Sequence, residues 1–403
     1  MLTAFETAAP LRPPIHARAT LSVNMRNVVS ALLLTTAASW AVAAQQIGTT
    51  LLGRAVLPAS TFAPGPTSGQ FVSGSTNGVT LPLDARQPVQ GFSAVLRGPK
   101  RGTYYVMSDN GFGAKANSAD ALLRVYAVEP DFHSGAVHPV DFVRGKRLPG
   151  FTPESFITLQ DPERKLGFAV VADGATYPNS SLNVAPEITQ RRLLTGGDLD
   201  IESIRFVKNE FWFGDEFGPF LVRTDRQGKV LQAAVSLPNT RGFGANPLVQ
   251  SPDNPLLANS SAANLPRSRG FEGMALSASR QFLYTLLEGA LTTDSEPRRL
   301  IINQFDLKQR AYTERSWAYK TEDPSHAIGD FTAVNRHVLL VIERDGGQGP
   351  TAKFKKVFKI DLRRSDAEGF LLKEEVVDLL NIADPEHRGG NGTVNGVFSF
   401  PFV

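Results

Sequence analysis

Residues 197–220, GDLDIESIRFVKNEFWFGDEFGPF, read as two short strands joined by a tight polar turn. Ile201, Ile204, Phe206 and Val207 supply the apolar residues of the first strand, and Lys208, Asn209 and Glu210 make the turn. Phe211, Trp212 and Phe213 open the second strand, which runs into Gly214, Asp215 and Glu216. Aromatic and β-branched residues in short runs, bounded by Gly and Asn, are a hairpin signal. In an antiparallel pair the start of one strand lies beside the end of the next. Asp200 and Glu202 therefore fall on the same edge as Asp215 and Glu216. Four carboxylates on one edge repel each other unless solvent, a cation or a basic group offsets them.

The same pattern recurs along the chain. Residues 91–113, GFSAVLRGPKRGTYYVMSDNGFG, give strand, turn, strand and an acidic exit at Asp109. Residues 270–289, GFEGMALSASRQFLYTLLEG, repeat it with Glu272 at the start and Glu288 at the exit. Residues 329–347, GDFTAVNRHVLLVIERDGG, repeat it with Asp330 at the start and Glu343 and Asp345 at the exit. Residues 154–173 read as a weaker copy, or equally as an outer strand plus an insertion. Further strands at 121–128, 220–225, 300–306 and 354–361 suit third members of each unit. A repeated hairpin of this kind, with variable loops between copies, marks propeller blades of four strands. The expectation is an all-β propeller, with six blades favoured over seven, over residues 45–403. The apolar run 395–403, NGVFSFPFV, is expected either to mark a truncated last blade or to pair with an N-terminal strand and close the ring, since open sheet edges invite aggregation.

Composition fits that class. The 35 Gly and 27 Pro, with short apolar runs between them, favour a turn-rich β chain. With no cysteine, disulfides, thiolate metal sites and a Cys nucleophile are excluded. The net charge of +3 is weak, and no basic stripe with interleaved aromatics stands out, so nucleic acid is not an expected partner. Residues 25–44, MRNVVSALLLTTAASWAVAA, read as a secretory signal: Arg26 as the basic segment, a short apolar core, and Ala41-Val42-Ala43 before the cleavage point. The run is too short and too broken for a good membrane span. Residues 1–24 fit no signal pattern and read as a leader or a start-site error. An exported, cysteine-free chain suits a bacterial periplasm or exterior.

The stretches LLGRAVLPASTFAPGPTSGQF, SDNGFGAKANSADALLRVY, DLDIESIRFVKNEFWFGDEFGPFL, GFEGMALS with LLEGAL, and IGDFTAVNRHVLLVIERDGGQG followed by FKKVFKIDL resemble the phytase-like family described as "esterase-like activity of phytase". They cover roughly residues 50 to 403 by order and spacing. The resemblance implies an exported β-propeller and hydrolysis of a phosphoester, and it carries no catalytic residue set with it.

If inner strands line a channel, their leading ends ring one mouth. Asp109, Asp200, Asp215, Glu216, Glu288, Asp330, Glu343 and Asp345 are then the candidate metal ligands, with Glu202 and Glu272 assigned to catalysis. Oxygen-only ligands from several loops suit Ca²⁺, with Mg²⁺ as an alternative and Zn²⁺ less suited. Such an ion would activate a water for attack on the ester. Each carboxylate has a competing role, because acidic groups at strand ends also cap turns by accepting backbone N–H bonds. A phosphate substrate needs cations, and Arg205 and Arg344 are the candidates, with structural ion pairs as their alternative. Lys353, Lys355 and Lys356 read instead as a solvated edge, and His326 as a loop histidine bonded to backbone. There is no GxSxG elbow, P-loop or dinucleotide fingerprint. The resulting expectation is a monomeric, Ca²⁺-dependent hydrolase of a small phosphate ester. Two alternatives stand beside it: a propeller that binds a ligand or partner without catalysis, and a metal-dependent carboxylesterase or lactonase.

Overall fold

The computed structural model describes residues 49–389 except 77 and 90, together with the short strands Leu2–Thr3, Thr393–Val394 and Val397–Phe398. The expected signal segment 25–44 lies outside the described residues. Four sheets of antiparallel strands follow one another, each with its strands in chain order from inside to outside. The first blade is Phe92–Arg97, Tyr104–Ser108, Arg124–Asp131 and Ala136–Pro139. The second is Ile201–Val207, Glu210–Asp215, Phe220–Thr224 and Val235–Ser236. The third is Gly273–Leu276, Phe282–Leu286, Arg299–Asp306 and Ala311–Lys320. The fourth is Ala327–Ala333, Val338–Arg344, Lys355–Ser365 and Leu371–Asp378. Their first strands pack side by side in that order. The protein is a β-propeller with four complete blades among the described residues.

The sequence FWF shows how the blades stack. Phe211, Trp212 and Phe213 are consecutive and all buried. Neighbours on a strand point to opposite faces. Phe211 and Phe213 accordingly belong to the core shared with the first blade, where Tyr105 meets Phe211 at 5.9 Å. Trp212 belongs to the core shared with the third blade and packs on Phe305 at 5.2 Å. A middle blade has no solvent face, so its strands are apolar on both sides. The third and fourth blades repeat the arrangement through Tyr284, Leu286, Phe331 and Val341. The turn between Ile201–Val207 and Glu210–Asp215 is the two-residue Lys208-Asn209, both at positive φ (51° and 72°), the geometry that matches the twist of the flanking strands.

Residues 154–173 do not form a blade. Phe156–Thr158 pairs with Arg124–Asp131, and the insertion that follows, before the second blade, includes the six-residue helix Pro186–Arg191. Among the described residues no helix is long and apolar enough to cross a membrane. The segment from Thr49 to Val56 ties the strand Ile382–Ala383, which follows the fourth blade in the chain, to the first blade. Leu51 N–H donates to Ala383 O (2.8 Å), Ala383 N–H donates to Thr49 O (2.9 Å), and Val56 N–H donates to Gly135 O beside the first blade's outer strand (2.9 Å). Closure thus runs through Ala383; the expected pairing partner, 395–403, contributes Val397–Phe398 as the strand behind Ile382–Ala383.

Candidate functional site

The acidic ends of the first three blades converge at one end of the channel. One carboxylate oxygen from each of Asp109, Asp200 and Glu202 lies within 4.8 Å of the others, close enough to share a metal ion. Glu202 occupies a β-bulge: the ladder passes from Ile201–Asp215 to Ser203–Gly214 and leaves Glu202 without a partner across the strand. A bulge re-aims a side chain that regular alternation would direct elsewhere. The neighbouring loop is held by Asn110, whose Oδ1 accepts from Gly113 N–H (3.0 Å) and Ser118 Oγ (3.2 Å). Gly196 passes so close to Asn110 that a Cβ there would meet its carbonyl oxygen at 1.8 Å.

Glu216, Glu272 and Glu288 extend the cluster. Burial pushes the Asp200 carboxyl up to about 8, with Asp109 and Asp215 raising it further. Burial also drives Glu202 well above the usual range, helped by Asp109, Glu272, Asp200 and Glu216. Glu216 rises through burial and then the charges of Glu288, Glu272, Asp200 and Asp215. Burial and Glu288 raise Glu272, while Arg344 opposes them. Burial raises Glu288 as well, against Arg269 and Arg344. Asp200 and Glu216 are each only 4% exposed, and Asp200 Oδ1 and Glu216 Oε1 have no hydrogen-bond partner. Two orphaned carboxylate oxygens within a set of mutually repelling acids fit an oxygen-liganded divalent cation.

The remaining expected residues are placed differently. Asp215 accepts N–H bonds from Asp200 (2.8 Å) and Gly218 (2.7 Å), a capping geometry, and burial lifts it to about 7. Arg205 donates to the Ile204 and Phe331 carbonyls (both 2.6 Å) and lies 3.5 Å from Asp330. Asp330 also accepts from Phe331 N–H (2.6 Å) and is not among the three carboxylates that share an oxygen site. Glu343 is fully buried and faces away from Arg344, its neighbour in sequence. It accepts from Tyr319 Oη (2.7 Å), Glu322 N–H (2.7 Å) and Lys373 Nζ (2.8 Å), and meets His326 Nδ1 (2.8 Å). Asp345 pairs with Lys355 (2.9 Å) and Lys356 with Glu375 (2.7 Å). Arg344 does reach the cluster, 3.0 Å from Glu288 and 4.0 Å from Glu272.

A family model described as "Phytase-like: esterase-like activity of phytase" matches residues 87–397, which include every residue of this cluster. The chain belongs to the phytase-like family. The family's description supports a hydrolase type of function in general terms. An "Uncharacterized secreted protein" of Arthroderma benhamiae is 26% identical over 209 residues, 45% of this chain and 40% of that protein. The chain thus spans about two-fifths of the length of that relative. Among solved structures, Kuenenia stuttgartiensis hydrazine synthase aligns over 77% of this chain and 72% of its own at 10% identity and a TM-score of 0.35. A Niastella koreensis GH74 enzyme aligns over 82% of this chain and 38% of its own at 12% identity and a TM-score of 0.31.

In this phytase-like propeller, sequence reasoning passes over Arg269, which pairs with Glu288 at 3.1 Å. It stands immediately before Gly270-Phe271-Glu272, one position upstream of the repeated unit. The following Gly270 is required by proximity, because a Cβ there would lie 2.4 Å from Glu216 Cα. His326 bonds to a carboxylate rather than to backbone carbonyl through its ring, and its signal was lost because Glu343 is 17 residues away in sequence.

Proposed function

We propose that this protein is an exported, monomeric, Ca²⁺-dependent hydrolase that cleaves a small phosphate ester at the acidic end of the channel. The observation that carries the reading is the pair of buried, partnerless oxygens, Asp200 Oδ1 and Glu216 Oε1. Asp109, Asp200 and Glu202 would hold the ion, with Glu216 completing the shell. A bound divalent ion would supply charge neutralisation for these acids and Lewis acidity toward a substrate or water oxygen. Arg344 and Arg269, both about one-third exposed, bind the anionic end of the substrate. Glu202 and Glu272 orient the attacking water. Arg205 braces the strands beneath. The secreted description of the Arthroderma relative supports export.

The family's "esterase-like" description favours a second reading, a metal-dependent carboxylesterase or lactonase at the same residues. The test is turnover of phytate, an aryl phosphate and an aryl acetate by purified protein with Ca²⁺ and with chelator. Calcium-dependent release of phosphate is expected. Acetate cleavage alone selects the second reading, and no metal-dependent turnover of any probe leaves a binding propeller.

A further inference from the structure

The cluster opens on one side into a cleft of about 310 Å³ between the third and fourth blades, bounded by Arg269, Glu288, Leu291, Thr292, Pro324 and His326. Glu288 belongs to the acidic cluster, so the cleft joins that cluster to an imidazole that no step above uses. His326 is held on two sides. Its ring lies over Phe354 with centroids 4.3 Å apart, and its Nδ1 is 2.8 Å from Glu343 Oε1.

The tautomer follows from Glu343. Burial alone would raise that carboxyl. The hydrogen bonds from Lys373 and Tyr319, the Lys373 charge and the Glu322 amide outweigh burial and hold it below its ordinary value. Glu343 is therefore an ionised acceptor, and an ionised carboxylate offers no proton, so the imidazole donates from Nδ1. In the neutral ring Nε2 then carries the lone pair, and Nε2 makes no hydrogen bond of its own among the described residues. A carboxylate fixing Nδ1–H and leaving Nε2 without a hydrogen bond, on a residue that lines a cleft, is an arrangement that equips an imidazole for proton transfer.

We propose that the ester bound at the acidic cluster extends its leaving-group side past Glu288 into the cleft and that His326 is the proton-transferring side chain there, with Glu343 as its positioning residue. This rests on the ester-hydrolase reading above. Water oxygen bonds to the phosphoryl or acyl centre while its proton passes to His326 Nε2. As the ester bond to the leaving oxygen breaks, Nε2 returns the proton to that oxygen. The products are acid and alcohol, and no other reactant is needed. Arg269, on the same wall, faces the anionic part of the substrate.

The experiment joins a structural readout to a kinetic one. Nitrogen-15 NMR of the wild-type imidazoles, with His326 assigned by its loss in H326Q, is expected to show the Nδ1–H tautomer; an Nε2–H tautomer overturns the proposal. In the Ca²⁺ assay on aryl phosphate and aryl acetate, H326Q is expected to lower kcat about 100-fold or more with KM changed only a few-fold. E343Q is expected to lower kcat by a smaller factor. In H326A, added imidazole is expected to restore part of the rate, which a purely structural role would not allow. Melting curves of H326Q and H326A close to wild type exclude unfolding as the cause. If wild type turns over the probes and H326Q does so equally, His326 has no catalytic part and the ester reading stands. If wild type turns over none, the ester reading falls and this proposal falls with it.

Discussion

Arg205 and Phe331 link two inner strands that are not neighbours: the guanidinium of the second blade donates at 2.6 Å to the main-chain carbonyl of the fourth. The third blade's inner strand packs between them in the ring. Arg205 is 7% exposed, and the same group satisfies the Ile204 carbonyl. Replacing it by Met leaves two buried acceptors unpaired. R205M is expected to lose about 2–3 kcal/mol of stability, since hydrogen bonds from charged donors are worth more than neutral ones. Urea unfolding measures the loss, and calcium titration of the folded variant should give an affinity within a few-fold of wild type.

The acidic cluster should behave in the opposite way. E202Q and D200N each remove a charge that the metal-free protein has difficulty accommodating. Both variants are expected to bind Ca²⁺ at least about 100-fold more weakly by calorimetry, as charge count sets affinity in such sites. Without calcium they should unfold at equal or higher urea concentration than wild type. A metal-free loss of stability would instead mark these carboxylates as caps.

Asp215 supplies the contrast. It caps the amides of Asp200 and Gly218, so D215A strands two buried donors. An expected cost of about 2–4 kcal/mol follows from roughly 1–3 kcal/mol for each unsatisfied group, reduced by relaxation. Circular dichroism melts with and without calcium should show the deficit in both.

Stability of the calcium-free protein should fall as pH rises. The carboxyls of Asp198, Asp215 and Asp200 are raised to about 6, about 7 and about 8, chiefly by burial. A raised acid pKa means the folded state binds more protons than the unfolded chain. Stability is then complete below the unfolded carboxyl range near 4 and is lost progressively up to about pH 8. The loss is expected to be on the order of several kcal/mol in urea titrations with chelator present. Calcium should reverse the trend, stabilising more at pH 8 than at pH 5, because it binds the ionised carboxylates.

Trp212 tests the blade stacking itself. W212A removes a buried side chain that packs on Phe305 in the core between the second and third blades. The expected cost is about 3–5 kcal/mol. Equilibrium unfolding provides the measurement, and a cost under 1 kcal/mol would contradict the shared core.

Much of the fold was legible in the chain. The FWF run, the Asn209 turn and the four recurrences of strand–turn–strand with an acidic exit determine an all-β repeat, because period-two apolar patterning and turn chemistry are local properties. The third strands follow the expected segments closely, as at Phe220–Thr224 and Arg299–Asp306. Which of its two readings residues 154–173 would take was not legible, since they carry a strand pattern and the structure pairs Phe156–Thr158 with an existing sheet.

Which carboxylates meet was decided only by the tertiary structure. In sequence Glu343 and Arg344 are adjacent and both stand at the exit of the fourth repeat. On the strand they face opposite ways, Arg344 to Glu288 at the cluster and Glu343 to Tyr319, Lys373 and His326 in a separate buried hub. Glu202 reaches the cluster from a bulge, an irregularity in pairing register that no count of alternating residues contains. The repeat, the acidic strand ends and the family resemblance are readable in the chain because all three depend on local pattern. The acidic cluster and the His326–Glu343 pair depend on strand register and on the approach of residues far apart in the chain. Those are fixed by packing between blades, and packing is settled only when the whole ring is assembled.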